Sequence, residues 1–174
     1  IAGEGPQQRL LMPLAERLHV ADKTRFLGTV EDISAFFDRL DVFLCPSLRE
    51  PLGNVCIEAG ARGCPVVCTR VDGLPEVVLN GRTGLWVEPT LPLEELRQLG
   101  GDAEDLPDQV YDPKSDSLDK IHLPDPNQIA DEIGRLSSDT GLYEKLSYQA
   151  INHVSESHRF AEYVADMDKL LALS

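Results

Sequence analysis

An α/β domain with a Rossmann-like parallel sheet flanked by helices is the fold this sequence predicts, on three observations. Helical and extended patterns alternate at short intervals over the first ninety residues, as βαβ units do. Asp41-Val-Phe-Leu-Cys-Pro46 is a near-continuous apolar run, the kind covered on both faces, and it implies a central sheet position. The 174 residues are 42% apolar and 26% charged, an ordinary globular composition that buries about 70% of the unfolded surface without staples.

The elements follow in order. Ile1 to Gly5 reads as a strand end running into a glycine turn. Pro6 opens a helix whose Leu10, Leu11, Leu14 and Leu18 share one stripe. Thr24 to Leu27 is a short strand closed by Gly28, and Glu31 to Leu40 carries Ile33, Phe36, Phe37 and Leu40 at helical spacing. After the apolar strand come a loop from Ser47 to Gly53, a helix from about Asn54 to Arg62 and a strand Pro65 to Cys68. Asp72-Gly-Leu-Pro-Glu76 turns into a short helix ended by Asn80-Gly81, and Thr83 to Val87 adds a strand. Residues 90–125 hold ten acidic and three basic side chains without sustained periodicity, an acidic insertion or long loop with a short helix over Leu93 to Leu99. Asn127 to Leu136, Gly141 to Val154 and Arg159 to Leu171 show helical spacing, so helices fill 126–174.

Thirty acidic against sixteen basic residues give a formal charge of −14. Such a surface repels phosphate backbones and anionic lipid, which argues against nucleic acid and bilayer as partners. No run reaches the roughly 20 apolar residues of a transmembrane segment. Cys45, Cys56, Cys64 and Cys68 all lie in apolar runs, where a thiol behaves as a small buried hydrophobe; reduced cysteines fit a cytoplasmic protein. His19, His122, His153 and His158 are scattered, and no metal is expected.

Chemistry concentrates where the apolar strand ends and the next helix begins, the edge of a parallel sheet at which ligands bind. Gly53 allows close approach to the backbone, and Asn54 is a good cap for a helix whose first free amides attract an anion, a phosphate above all. Glu50 and Glu58 bracket this helix start with seven residues between them. Their carboxylates suit hydroxyls on either side of that phosphate, each charge-assisted bond contributing about 1.5 to 3 kcal/mol. A phosphate flanked by two polyols describes a nucleotide sugar.

From Ile1 to about Pro89 the sequence resembles the carboxyl-terminal, donor-binding half of group 1 (family 4) retaining glycosyltransferases of the GT-B fold. The resemblance is carried by Ala2-Gly-Glu-Gly-Pro6, Arg25-Phe-Leu-Gly28, Asp41-Val-Phe-Leu-Cys-Pro-Ser47, Glu50-Pro-Leu-Gly-Asn-Val-Cys-Ile-Glu-Ala59, Gly63-Cys-Pro-Val-Val67, Gly73-Leu-Pro-Glu-Val77 and Gly81-Arg-Thr-Gly84. It implies that Glu50 contacts the donor sugar, as the catalytic-site carboxylate, and that Glu58 holds the ribose. It implies further that the amides of Leu52, Gly53, Asn54 and Val55 hold the distal phosphate, and that Gly3 and Gly5 line the cleft. Leu27, Gly28, Thr29 and Val30 would lie along the base, with Ser47 near the phosphates. Gly73 and Glu76 belong to a motif read as structural.

The resemblance implies sugar transfer from a nucleoside diphosphate sugar to an acceptor hydroxyl, without a metal. The alternatives are a nucleotide-sugar epimerase or sugar phosphorylase of the same fold, and a non-catalytic nucleotide- or partner-binding module. By the family pattern 1–174 is expected to be one truncated domain. An amino-terminal domain that holds the acceptor, and an upstream Arg and Lys that neutralise the diphosphate, are expected outside these residues; Arg49 and Arg70 do not stand at those motif positions. Alone, the chain is expected to be inactive and, with sheet edge exposed, prone to self-association.

Overall fold

Three strands, β1 (Phe43–Cys45), β2 (Val66–Thr69) and β3 (Gly84–Val87), form a parallel sheet in the order β1-β2-β3, with Phe43 opposite Val66 and Val66 opposite Gly84. The structure is a computed structural model and describes residues 1–98, 101, 103, 106–157 and 160–172. All four residues of β2 are buried, and its alternation divides the core in two. Val66 and Cys68 join Phe37, Cys56, Ala59 and Leu74, while Val67 joins Leu85, Val87, Leu136 and Leu146. The first cluster takes in residues of α2 (Ile33–Phe37), α3 (Asn54–Ala61) and α4 (Leu74–Val77), the second those of α6 (Pro126–Ser138) and α7 (Thr140–Ser157). Helix α7 also packs along α3, where an added Cβ on Gly60 would stand 3.3 Å from Val154.

Caps and one ion pair fix the helix ends. Asp32 Oδ1 accepts the Ala35 amide at 2.9 Å and starts α2, which is only five residues of the expected ten-residue stretch. Arg62, just past α3, donates to both carboxylate oxygens of Asp38, just past α2, and so ties the two helix ends together. Asp125 caps α6 through the Asn127 amide, with Pro126 in the first turn where its missing N–H costs nothing.

The structure corrects four expectations. Among the described residues β1 is the edge of its sheet rather than the centre, and Leu44 is 39% exposed; the apolar run is real, but only Cys45 within it is fully buried. Ile1 to Gly5 and Thr24 to Leu27 are not strands. They meet in an isolated bridge between Gly3 and Gly28, with the Leu27 amide on the Ile1 carbonyl at 2.9 Å and Gly3 N on the Gly28 carbonyl at 2.7 Å, too short a pairing to propagate a ladder. Helix α1 (Gln8–Arg17) forms, but Leu10, Leu11 and Leu18 of its leucine stripe stay exposed, and Ala15 alone is buried within it.

The fourth correction concerns the acidic insertion, which is folded. A strand β4 (Pro89–Pro92) pairs antiparallel with β7 (His122–Pro124), a short helix α5 (Glu94–Gln98) follows β4, and β5 (Gln109–Asp112) pairs with β6 (Ser117–Lys120) as a hairpin. Val110 and Ile121 anchor this unit in the first core cluster. Leu99, the expected end of α5, lies outside the described residues, as do His158 and Arg159 before α8 (Phe160–Ala172). Among the described residues no helix is long and apolar enough to cross a membrane.

Candidate functional site

The site grows from the end of β1. The chain leaves Cys45, passes through residues 46–53 and enters α3 at Gly53, whose left-handed backbone (φ 88°, ψ 48°) makes it the cap. Glycine is required here twice over, by that conformation and because a Cβ would lie 2.7 Å from Leu74 Cδ2. Asn54 is therefore the first helical residue and not the cap expected from its side chain.

The helix start is only partly satisfied from within. Gly53 N donates to Glu50 Oε1 at 3.2 Å, and Cys56 N donates to the Gly53 carbonyl at 2.8 Å. Among the described residues the amides of Leu52, Asn54 and Val55 have no protein acceptor. Open amides at a helix amino terminus attract an anion, with a dipole contribution of roughly 0.3 to 1 kcal/mol in addition to the hydrogen bonds. Helix α3 buries Cys56, Ala59 and Gly60, and leaves Asn54, Val55 and Glu58 exposed. Glu58 thus occupies the face that carries the open amides, and helical Cβ geometry leans it back toward them.

Glu50 is half-buried and its loop is clamped from below. Gly73 N donates to the Glu50 carbonyl at 3.2 Å, and a Cβ on Gly73 would stand only 2.2 Å from the Pro51 carbonyl oxygen. The glycine of the Gly73-Leu-Pro-Glu76 motif is thus a packing requirement of the Glu50 loop. Asp72 Oδ2 accepts the Glu50 amide at 2.9 Å.

The remaining expected residues fall in two places. Ser47 Oγ lies 3.5 Å from Cys45 Sγ at the strand end. All four cysteines are free and buried; burial pushes the Cys64 thiol up to about 11 and raises Cys68 as well, so both are protonated at neutral pH. Gly3 and Gly28 form a second group with Leu27, half-exposed, and with Thr29, whose amide lies 3.4 Å from Glu4 Oε1. Gly5 is exposed and Val30 half-buried beside them. No hydrogen bond or ion pair among the described residues links this group to the start of α3.

Of the two cations considered near the cleft, Arg49 is exposed and Arg70 is engaged elsewhere: its buried guanidinium donates to Glu88 at 2.8 Å and to Asp112 at 2.7 Å. Burial opposes ionisation of Asp112, but the Lys114 amide, Arg70 and the Ser115 hydroxyl outweigh it and hold the carboxyl well below the usual carboxylate range. The contacts of Arg70 with Asp112 and of Asp72 with Tyr111 were not legible, since they span 42 and 39 positions of sequence and form only once the insertion folds into a hairpin. Among the described residues no group of three or more His, Cys, Asp and Glu side chains is placed to hold a metal.

Comparison with known proteins agrees with this architecture. The family model described as glycosyl transferases group 1 matches residues 1–99. Glycogen synthase of Mycobacterium tuberculosis is 42% identical over 91 residues, 51% of this chain and 22% of the relative. D-inositol 3-phosphate glycosyltransferase of Streptomyces scabiei is 43% identical over 101 residues, 56% of this chain and 23% of the relative. The matched stretch therefore spans under a quarter of these curated relatives. Among solved structures, sucrose-phosphate synthase from Thermosynechococcus elongatus superposes on 98% of this chain and 36% of its own, with 23% identity and a TM-score of 0.73. Anabaena HepE in complex with UDP-glucose superposes on 99% of this chain and 40% of its own, with 20% identity and a TM-score of 0.75. These likenesses show the fold, the Rossmann-like half of GT-B glycosyltransferases, and the match over residues 1–99 shows that the chain belongs to the group 1 glycosyl transferases.

Proposed function

We propose that this chain is the donor-binding domain of a retaining glycosyltransferase that moves a sugar from a nucleoside diphosphate sugar to an acceptor hydroxyl. The observation that carries the reading is the start of α3, where the amides of Leu52, Asn54 and Val55 stand open, with Glu50 on the preceding loop and Glu58 exposed one turn into the helix. In this reading the distal phosphate rests on those amides, Glu58 accepts hydrogen bonds from the ribose hydroxyls, and Glu50 accepts them from the sugar. Gly3, Gly5 and the turn of Leu27, Gly28, Thr29 and Val30 pass along the base, and Ser47 lies near the phosphates. The relation to HepE, which is a complex with UDP-glucose, supports a nucleotide-sugar ligand.

Retention follows from departure of the nucleotide and attack by the acceptor on the same face, through an oxocarbenium-like state, with the acceptor's hydroxyl proton passing to the departing phosphate oxygen. Glu50 then orients the sugar and is no covalent nucleophile; its carboxylate gives up the Gly53 amide, 3.2 Å away, as the sugar hydroxyls arrive. The amides supply charge stabilisation to the leaving diphosphate without a metal. Cations from outside these residues complete it, because Arg70 is held by Glu88 and Asp112. The acceptor is held by a second domain, in a cytoplasmic enzyme.

The test is Glu50→Gln in the complete enzyme, assayed against a panel of UDP-, GDP- and ADP-sugars. Turnover is expected to fall at least 100-fold while nucleotide affinity changes less than threefold, the signature of a contact made mainly in the transition state. Unchanged turnover removes Glu50 from the site.

A further inference from the structure

The acidic insertion meets the Glu50 loop at Asp72. Its backbone is left-handed, with φ 46°, a conformation that side-chain-bearing residues seldom adopt. In that conformation its carboxylate takes two main-chain donors from two different parts of the chain. Oδ2 accepts the Glu50 amide at 2.9 Å and Oδ1 accepts the Tyr111 amide at 2.9 Å, while the Asp72 amide donates to the Tyr111 carbonyl at 3.0 Å. Arg70, two residues earlier, binds Asp112 on the same hairpin strand at 2.7 Å. A cavity of about 210 Å³ lies between the loop and the hairpin, with Arg49, Glu76 and Tyr111 in its walls beside Asp72.

We infer that Asp72 is a positioning residue that latches the hairpin 109–120 to the Glu50 loop, so that the insertion sets the orientation of Glu50. A carboxylate shared by two backbone N–H groups couples them: the loop cannot shift without pulling on β5, and β5 is fixed in turn by Arg70 and by Val110 in the core. The role of Glu50 in this inference rests on the function proposed above; the latch itself does not.

The experiment uses amide hydrogen exchange and backbone NMR of the full chain, with UDP, GDP and ADP as probes. Asp72→Gly keeps the left-handed backbone and removes the carboxylate. It is expected to speed exchange at Glu50 and Tyr111 together by at least tenfold, to move both amide resonances upfield, and to leave Val67 in the central strand unchanged. Asp72→Asn retains one acceptor oxygen beside a new N–H₂ group and is expected to rescue one of the two amides. Lys114→Gln, at the exposed far turn of the same hairpin, is expected to change neither. In the wild type, a nucleotide that binds is expected to slow Tyr111 exchange at least threefold, and this response is lost in Asp72→Gly. Exchange at Glu50 and Tyr111 that stays within twofold of wild type in Asp72→Gly overturns the latch, as does a Tyr111 response that survives the substitution. Failure of all three nucleotides to bind the wild type counts against the proposed function, while the paired response of the two amides without nucleotide still decides the latch.

Discussion

The Glu50 loop and the amino-terminal turn both carry glycines, and they are built in opposite ways. In the Glu50 loop, glycine is demanded by neighbours: a Cβ on Gly73 would stand 2.2 Å from the Pro51 carbonyl and one on Gly53 2.7 Å from Leu74. In the amino-terminal turn, a Cβ on Gly3 or Gly5 would meet nothing within 4 Å. Gly3 has φ 103° and so a backbone reason, but Gly5 has neither a crowding neighbour nor a positive φ. A glycine with no structural cause is one that a ligand's close approach would explain. The first turn is therefore a preorganised wall and the second an open one, held by main-chain bonds between residues 1–3 and 25–28.

Substitutions that separate crowding from openness sharpen this contrast. The largest effect is expected for Gly73→Ala: its clash is with backbone that cannot rotate away, and the loss is about 3 kcal/mol by denaturant midpoint. Gly53→Ala is expected to cost about 2 kcal/mol, from left-handed strain plus overlap with a leucine side chain that can yield. Gly3→Ala should cost about 1 kcal/mol, from φ alone. Gly5→Ala is expected to fall within about 0.5 kcal/mol of wild type and yet to weaken nucleotide binding. Equal stability losses at Gly73 and Gly5 would break the comparison.

The hairpin gives a pH-dependent counterpart. The folded-state pKa of Asp112 is depressed by Lys114 N, Arg70 and Ser115 against the cost of burial. Its contribution is therefore complete above the unfolded carboxylate value of about 4 and is lost as pH falls below that. Tyr111 and Lys114 amide protection is expected to decline first in that window, before that of β2. Arg70→Met should flatten this dependence and cost about 1 kcal/mol, a modest amount because Glu88 is 48% exposed.

Sequence alone carried the sheet half of the molecule further than its flanks. The strand-loop-helix from Asp41 to Arg62 was legible because an apolar run, a glycine and a helical stripe succeed one another locally. The segments around Ile1 and Thr24 carry strand-like residues but pair only with each other, so pattern overstated their structure. The hairpin was hidden for the opposite reason: all of β6 is exposed, and Val110 is the one buried residue of β5, so no alternation marks it. Asp72 read as an ordinary turn former, because its two partners lie 22 and 39 positions away.

The central claim is that a nucleoside diphosphate rests on the start of α3, and titration of the isotopically labelled chain with UDP, GDP and ADP tests it most directly. The account predicts saturable shifts at the amides of Leu52, Gly53, Asn54 and Val55 for at least one nucleotide, with affinity falling at least tenfold in Glu58→Gln. Saturable binding that leaves those four amides unmoved, or that is indifferent to Glu58, would contradict it.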